Sequence, residues 1–358
     1  MSETNLDGSA LIPGLQQHSR VALGHRPTAI DRLPALGRRL GITLYAKRDD
    51  CNGLALGGNK VRQLEYYLGR ARDEEADTLL ITGAIQSNFV RLAAAAASRL
   101  GWRAEVQLED RVPKDDAIYR SSGNLLLTRL LGAKIHYFSE GEDEKAADQN
   151  LETIADRLRA EGRRPYVIHL GIDHPPYGGL GYVAAAAECW AQLQQRGEEV
   201  SHVVIPSGSG LTHAGFLVGA RAVDWQLPVH GICVRRAAEL QEARIQRRAG
   251  EIAALIDRED AVEASDVLVS DRVLAPGYGL LNEATATAIR LAAETEGMIL
   301  DPVYSGRCMA GLIALVENGE IPQGAHVLFI HTGGHPAVFA YQNDLETALA
   351  GGTQPASN

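Results

Sequence analysis

Short apolar runs alternate along the chain with longer segments that carry apolar residues at helical spacing. The short runs are rich in branched residues and predict buried strands at 78–82, 104–108, 166–170, 203–206, 229–234 and 327–331. The longer segments predict helices at 88–100, 123–131, 181–195, 212–222 and 240–256. Because strands joined by helical crossovers pair in parallel, the pattern predicts an α/β fold with parallel sheets.

Four turns rich in glycine or hydroxyl residues follow predicted strands. They comprise residues 83–88, 207–212, 277–279 and 331–334. Parallel sheets bind ligands in the crevice beyond the carboxyl ends of their strands, so each turn is a candidate for a ligand site. Such turns are also common as ordinary connections, and no single turn decides the function.

A lysine at a predicted helix start is the first candidate for chemistry. Lys60 follows two glycines and Asn59. A lysine in such a loop can bind phosphate as a point charge or condense with an aldehyde, and a surface lysine is the common alternative. The P-loop motif requires glycine before the lysine and serine or threonine after it, whereas Val61 follows here. Phosphate binding through that motif is therefore excluded.

The turn at 207–212 is the best candidate for a phosphate cradle. Its glycines allow backbone N–H groups to approach an anion, and the next helix presents its positive end near Thr212. An ordinary strand-to-helix loop has the same pattern. A phosphate cradle and a reactive lysine are together the two anchors of pyridoxal phosphate. The sequence therefore favours this cofactor, with its aldehyde condensed with Lys60 and its ring hydroxyl bonded to Asn59.

Composition limits the partners. At 358 residues and 45% hydrophobic content, the chain can bury the core of one large or two ordinary domains. Its formal net charge of -10 provides no basic footprint for nucleic acid or an anionic membrane. The apolar runs are too short or too interrupted to span a bilayer, which favours a cytoplasmic location and a small-molecule partner.

Metal binding is not expected. The four cysteines, Cys51, Cys189, Cys233 and Cys308, are scattered without a CxxC pair, so we interpret most of them as buried apolar residues. Adjacent Asp49 and Asp50 are predicted to form turn hydrogen bonds, and the acidic run at 140–144 is predicted to be a solvated charge run.

Several motifs, taken together, resemble one family. They comprise residues 47–50, 57–62, 83–88, 208–215, 275–279, 301–306 and 331–334, in order between Arg26 and Tyr341. The set resembles the D-cysteine desulfhydrase and 1-aminocyclopropane-1-carboxylate deaminase family, in the tryptophan synthase β-like group of pyridoxal phosphate enzymes (fold type II). The resemblance implies two three-layer α/β domains with mainly parallel sheets and a homodimer. Residues 1–64 and 181–358 would form a large cofactor domain, and residues 65–180 a small α/β domain.

The resemblance also implies roles for individual residues. Lys60 would be the Schiff-base lysine and proton carrier, and Asn59 would bind the ring hydroxyl. Catalysis would further involve Ser87, Tyr278 and Tyr304. Without the resemblance, Ser87 is at least as well explained as a helix N-cap and each tyrosine as half-buried with a satisfied hydroxyl. The phosphate would be held by Ser209, Gly210, Leu211 and Thr212, and the substrate carboxylate by Gln86, Ser87 and Asn88.

Ser305 distinguishes the branches of this family. The resemblance places it beside the pyridine nitrogen of the cofactor, where the deaminase branch has glutamate and the desulfhydrase branch a hydroxyl residue. A serine does not keep that nitrogen protonated, so the ring is a weaker electron sink and β-elimination is favoured over cyclopropane opening. The predicted reaction converts D-cysteine to pyruvate, hydrogen sulfide and ammonia.

Two positions depart from the desulfhydrase pattern. Phe89 stands where histidine usually follows the Ser-Asn pair, and His174 lies in a segment that replaces a glycine- and serine-rich turn. Both are predicted to line the substrate side, so L-cysteate sulfo-lyase and the deaminase remain alternatives, as does an inactive homologue that only binds the cofactor or an amino acid. His213 is expected to donate to a backbone carbonyl, and the pattern offers no account of His335.

Overall fold

The larger of two sheets has six strands. The structure is a computed structural model that describes residues 8–141 and 143–351. The six strands are β1 (Ile30–Arg32), β2 (Thr43–Arg48), β7 (His202–Ser207), β8 (Val229–Cys233), β9 (Leu268–Ser270) and β10 (His326–His331). Their order is β1-β2-β10-β7-β8-β9, and every neighbouring pair is parallel except β1 with β2.

The smaller sheet has four strands, all parallel. They are β3 (Thr78–Ala84), β4 (Arg103–Glu109), β5 (Lys134–Phe138) and β6 (Pro165–Ile168), in the order β5-β4-β3-β6. Because every neighbouring pair is parallel, all four carboxyl ends lie at the same edge of this sheet.

Helices cover both faces of each sheet. They are α1 (Pro34–Leu40), α2 (Asn59–Asp73), α3 (Asn88–Leu100), α4 (Gly123–Leu130), α5 (Glu144–Ala160), α6 (Leu180–Arg196), α7 (Leu211–Ala222), α8 (Ala238–Ala254), α9 (Glu283–Glu296), α10 (Ser305–Glu317), α11 (Pro336–Ala340) and α12 (Gln342–Gly351). No helix in the described ranges is long and apolar enough to cross a bilayer.

Strand β10 shows how the large sheet divides its core. Leu328 and Ile330 pack with α6, α7 and α8 on one face, whereas Val327 and Phe329 pack with α1, α9 and α10 on the other. Successive side chains of a strand point to opposite faces, so a strand covered on both sides reads as a continuous apolar run. This confirms the predicted three-layer α/β architecture.

The small sheet packs against α3 and α4 on one face and α5 on the other. Helix α2 also packs against this core, through Val61, Leu64 and Leu68. The boundary predicted between residues 64 and 65 lies inside this continuous helix, so no linker separates the two segments there. The strands of the large sheet lie within residues 30–48 and 202–331, and those of the small sheet within residues 78–168.

The pattern did not predict four strands: β1, β2, β5 and β9. Strands β1 and β9 are three-residue strands at the edges of the large sheet, and β5 is a half-exposed edge strand of the small one. Strand β2 is central but contains Lys47, which is only 1% exposed. Its ammonium is compensated by a distant glutamate, and a local pattern cannot show that partner.

A buried charge network joins α2 to β2 and α6. Glu188, in α6, accepts from Lys47 Nζ at 2.6 Å and from Arg62 Nη2 at 2.8 Å. Arg62 also bonds both carboxylate oxygens of Asp49, and Asp50 pairs with Arg48 instead. The interpretation of the two aspartates as turn residues is therefore wrong, because both carboxylates form ion pairs with arginines.

Candidate active site

A cavity lies between the carboxyl ends of the two sheets. Together with the open solvent at its mouth, the space between its walls is about 930 Å³. It contains the start of α2 and the turns after β3, β7 and β10. The predicted site residues that line it are Asn59, Lys60, Ser87, Asn88, Phe89, Ser209, Gly210, Thr212, Tyr278 and Tyr304.

Lys60 is the second residue of α2, and the backbone before it is tightly constrained. Gly58 has φ 123°, and a Cβ there would lie 3.0 Å from the Thr332 carbonyl oxygen, so glycine is required. Lys60 Nζ donates to Gln63 Oε1 at 3.1 Å and lies 4.9 Å from the centre of the Phe89 ring. Burial lowers the pKa of Lys60 to about 8. The neutral, nucleophilic amine is therefore more populated near neutral pH than in an ordinary lysine.

The predicted phosphate turn lines the same cavity as this amine. Gly210, with φ 102°, ends the turn, and α7 begins at Leu211 with N–H groups that a helix cannot satisfy internally. Thr212 Oγ1 accepts from Asn59 Nδ2 at 2.8 Å and from Gln63 Nε2 at 2.9 Å. Its own hydroxyl proton remains for donation to an anion, and the two amides tie the turn to the helix that carries Lys60.

Ser87 and Asn88 are half-buried in the cavity wall at the start of α3. Ser87 Oγ accepts from the Val90 N–H at 3.2 Å, so this residue is an N-cap, and the helix directs its positive end at the cavity. Gln86 does not line the cavity. Its side chain donates to the carbonyl oxygens of Tyr119 and Ser122 and holds the segment before α4.

Two tyrosines face each other across the cavity wall. The hydroxyls of Tyr278 and Tyr304 are 2.7 Å apart. Burial and the neighbouring Tyr278 raise the pKa of Tyr304 well above its ordinary value, so its hydroxyl stays protonated at neutral pH. Tyr278 lies in a loop that begins after β9 ends at Ser270, so its turn does not directly follow a strand as predicted.

Ser305 lies behind the wall and not in it. Its hydroxyl donates to Asp301 Oδ1 at 2.7 Å and accepts from the Asp301 N–H at 2.8 Å. Ser305 Oγ is also 3.3 Å from the carbonyl oxygen of Gly333, and both Gly333 and Tyr304 line the cavity. The side chain at position 305 is therefore a hydroxyl behind this part of the wall, and its proton is donated to Asp301.

The histidines have separate environments. His174 stacks on His169 at 3.7 Å and lies 3.4 Å from Asp148, and the structure does not bring it to the cavity wall. Phe89 does reach the wall, beside Lys60. The expectation for His213 is confirmed, because its Nε2 lies 3.3 Å from the Val229 carbonyl oxygen and burial lowers its pKa to about 4.

One group in the described ranges brings metal-ligating atoms together: Asp50, His331 and His335. Both imidazoles direct Nε2 at the carbonyl oxygen of Ile299, at 3.0 and 3.1 Å. Asp50 is already bonded to the guanidinium of Arg48. Hydrogen bonds within the protein thus use these atoms, which also accounts for His335.

Sequence reasoning missed a charged part of the wall. For Glu144 the prediction of a solvated charge run is wrong, because its carboxylate lies 2.7 Å from Arg235 and 2.5 Å from Arg236. Arg111, Arg235 and Arg244 also line the cavity. One signal was available: Arg235 directly follows the predicted strand at 229–234, at the edge where ligands bind.

Most of the chain matches the model of a known family. Residues 21–333 match the family of pyridoxal-phosphate dependent enzymes. The chain belongs to that family. A 1-aminocyclopropane-1-carboxylate deaminase of Mesorhizobium japonicum is 40% identical over 330 residues, which cover 91% of this chain and 98% of the relative. These matches confirm the resemblance found in the motifs.

Solved structures agree. The crystal structure of a homologue of that deaminase superposes with a TM-score of 0.83 and 34% identity, covering 94% of this chain and 98% of the other. A threonine deaminase isoform of Solanum lycopersicum has a TM-score of 0.66 at 16% identity, covering 98% of this chain and 90% of the other, and shares the fold. The chain is a pyridoxal-phosphate-dependent lyase of this family.

The residues of the cavity fit pyridoxal phosphate. A primary amine with a lowered pKa and a turn at a helix N-terminus share one cavity, and Gln63 connects them by bonding both Lys60 Nζ and Thr212 Oγ1. These are the two groups that the aldehyde and the phosphate require. The Tyr304 hydroxyl and the start of α3 complete the wall on either side.

Thr212 provides a direct check of the cradle. Thr212→Val keeps the side-chain shape but removes the acceptor of two amides, so we expect the Kd for pyridoxal phosphate to rise about tenfold. The Kd is measured by titrating the apoprotein and following absorbance. Thr153→Val, on the exposed side of α5, is the matched control. A Kd within twofold of wild type for Thr212→Val would contradict the assignment.

Proposed function

We propose that the protein catalyses α,β-elimination from a small amino acid that carries a leaving group on its β-carbon, with D-cysteine as the simplest candidate. The observation that carries the proposal is the environment of Ser305. Position 305 carries a serine and not a carboxylate side chain, and the serine hydroxyl is bound to Asp301. A weak electron sink is sufficient for elimination of a good leaving group, whereas opening a carbon ring requires a stronger one.

Bound pyridoxal phosphate would supply the electron withdrawal that weakens the C–H bond at the α-carbon of the substrate. Ser87 and Asn88, at the positive end of α3, would bind the substrate carboxylate. Lys60 Nζ would accept the α-proton, and the leaving group would depart with the electron pair of its bond to the β-carbon. With D-cysteine, hydrolysis of the remaining fragment gives pyruvate and ammonia beside sulfide.

The two tyrosines would control protons on the other side of the substrate. Tyr304 keeps its proton at neutral pH, and its hydrogen bond to Tyr278 orients that hydroxyl. Phe89, which packs near Lys60 Nζ, would exclude water from the amine. We also propose that the protein is a cytoplasmic homodimer, as the family resemblance implies; light scattering of the purified protein measures its mass.

Ser305→Glu tests the branch. If the hydroxyl sets a weak electron sink, the carboxylate should lower kcat for elimination by about tenfold or more and introduce measurable ammonia release from 1-aminocyclopropane-1-carboxylate. Ser305→Ala is the control for loss of the bond to Asp301 without a new charge. Unchanged rates for both substrates in Ser305→Glu would sink the interpretation.

The deaminase reaction is the second candidate, because relatives about 40% identical over nine-tenths of the chain carry that name. One assay separates the candidates. Wild-type protein is incubated with D- and L-cysteine, D- and L-cysteate, β-chloroalanine and the cyclopropane amino acid, and pyruvate, sulfide, sulfite and ammonia are measured. If the cyclopropane amino acid is the only substrate that yields ammonia, the protein is a deaminase and the elimination proposal is wrong. If no substrate yields a product, a binding protein without turnover is favoured.

A further inference from the structure

Arg91 is a fully buried arginine in α3, one helical turn after the cavity residue Asn88. Its guanidinium donates to Asn88 Oδ1 at 3.2 Å, to Asn124 Oδ1 at 2.9 Å and to the Gly57 carbonyl oxygen at 2.8 Å. All three acceptors are neutral, and among the described residues Arg91 Nε has no acceptor and the guanidinium no ion pair. A buried charge without a counter-charge is costly, so this position requires an explanation.

Another buried arginine near the cavity shows what Arg91 lacks. Arg62, in α2, is also fully buried, and its guanidinium is bonded to the carboxylates of Asp49 and Glu188. Burial alone would lower the pKa of Arg62, but these two carboxylates hold it well above its ordinary value. Burial lowers the pKa of Arg91 to about 10, so Arg91 is charged at neutral pH without such compensation. The protein thus supplies counter-charges to Arg62 and none to Arg91 among the residues that the structure describes.

The bond to Arg91 determines which end of the Asn88 amide is left for the cavity. A guanidinium only donates hydrogen bonds, so it takes the oxygen of this amide and leaves the two hydrogens of Nδ2. Asn88 is half-buried in the cavity wall, at the first position of α3. The first turn of a helix also has backbone N–H groups without helical acceptors. This part of the wall therefore offers donors, which is the polarity that a carboxylate requires.

The other two acceptors fix the guanidinium in place. Asn124, fully buried in α4, donates its backbone N–H to Gln86 Oε1 at 2.8 Å and its side-chain amide to the Gln86 carbonyl oxygen at 3.1 Å. Its own Oδ1 is thereby left for Arg91. Gly57 lies three residues before Lys60, so the bond to its carbonyl oxygen connects Arg91 to the segment that leads into the lysine. Gln86, which does not reach the wall, is thus connected to it through Asn124 and Arg91.

We infer that Arg91 is a positioning residue for the α-carboxylate of the substrate: it holds the Asn88 amide with its donors available to the cavity, and the bound carboxylate supplies the missing counter-charge. This inference rests on the carboxylate site proposed above at Ser87 and Asn88 and adds the residue behind that site. The carboxylate would lie one amide group away from the guanidinium, in a partly enclosed wall where opposite charges attract more strongly than in water. Every amino acid carries this group, so the inference does not depend on the leaving group.

The test compares two ligands that differ in the charge of this group. Alanine and alaninamide, each as both enantiomers, have no leaving group on the β-carbon. Their Kd values for the holoenzyme are measured from the change in cofactor absorbance. Wild type should bind alanine at least about tenfold more tightly than alaninamide. This preference should fall about tenfold in Arg91→Gln, which removes the charge, and should largely remain in Arg91→Lys, which keeps it. Arg99→Gln, at an exposed position of α3, is the matched control and should leave the preference unchanged.

A second variant tests the missing counter-charge with Arg91 in place. Asn88→Asp puts a carboxylate beside the guanidinium, so it should raise the midpoint of thermal unfolding by about 2 °C or more and abolish the preference for alanine. An aspartate at a helix start is also stabilising by itself, so the same substitution is made in Arg91→Gln, where the rise should be smaller. An unchanged or lower midpoint in Asn88→Asp contradicts the inference, as does an equal rise in both backgrounds.

The outcomes separate this inference from the proposed function, because these binding measurements require no turnover. If no substrate yields pyruvate but the preference for alanine responds to Arg91 as described, elimination is wrong and the inference stands. Equal losses of affinity for alanine and alaninamide in Arg91→Gln would show that the guanidinium only supports the wall, and the inference would be wrong. The same conclusion follows if Arg91→Lys loses as much of the preference as Arg91→Gln, or if wild type binds alanine no more tightly than alaninamide.

Discussion

Lys60→Ala is expected to lower turnover at least about a thousandfold and to remove the visible absorbance of the bound cofactor. The substitution removes the amine that would attach the aldehyde and accept the α-proton. Its burial in the cavity wall, with a pKa lowered to about 8, matches both tasks. The measurements are the absorbance spectrum of the purified protein and the initial rate of pyruvate formation.

Two further lysine variants make this result specific. Lys60→Arg keeps a positive charge at the start of α2 but cannot condense with an aldehyde, so it should be as inactive as Lys60→Ala. Lys134→Ala, at a half-exposed position of β5, should behave as wild type. An active, coloured Lys60→Ala protein would place the cofactor elsewhere and end the present assignment of the site.

Glu188→Ala is expected to lower the free energy of unfolding by about 3–5 kcal/mol. Glu188 is fully buried and accepts from Lys47 at 2.6 Å, from Arg62 at 2.8 Å and from the Thr28 N–H at 3.0 Å. Burial alone would raise its pKa, but Arg62 and Lys47 hold it well below the ordinary value. Truncation of Glu188 would leave the buried charges of Lys47 and Arg62 with Asp49 as the one carboxylate of the network that contacts them.

The comparison is made by urea unfolding followed by tryptophan fluorescence. Asp156→Ala removes a carboxylate from an exposed pair with Arg159 on α5, and its effect should stay within about 0.5 kcal/mol. If Glu188→Ala were within 1 kcal/mol of wild type, the network would contribute no more than a surface pair does.

The network also bears on the site. Arg62 lies two residues after Lys60 in α2, and its guanidinium is bonded on one side to Asp49 and on the other to Glu188. The start of α2 is thereby fixed to α6, while Val61, Leu64 and Leu68 pack against the core of the small sheet. Loss of Glu188 should therefore reduce the occupancy of the cofactor as well as stability.

The local pattern was sufficient for the central elements. Strand β3 and helix α3 match the predictions at 78–82 and 88–100 closely, because a doubly covered parallel strand is a short continuous apolar run and a long amphipathic helix repeats its apolar residues at helical spacing. Strands β1, β5 and β9 were not predicted, because short edge strands bury too few apolar residues to create a pattern. Strand β2 was not predicted because the charge of Lys47 is neutralised by Glu188, which lies 141 positions away in the sequence.

The sequence by itself determined the α/β architecture and singled out Lys60 and the turn at 207–212 as the candidate anchors of a cofactor. Each depends on neighbours in the chain: apolar periodicity, two glycines before Lys60, and glycine at the start of a helix. Only the tertiary structure decided that Gln86 and His174 lie away from the cavity wall, that the Ser305 hydroxyl is bonded to Asp301, and that Glu144 lies among arginines. These facts depend on groups that folding brings together from distant segments, and charge or hydrogen bonding across such distances leaves no periodic trace in a sequence.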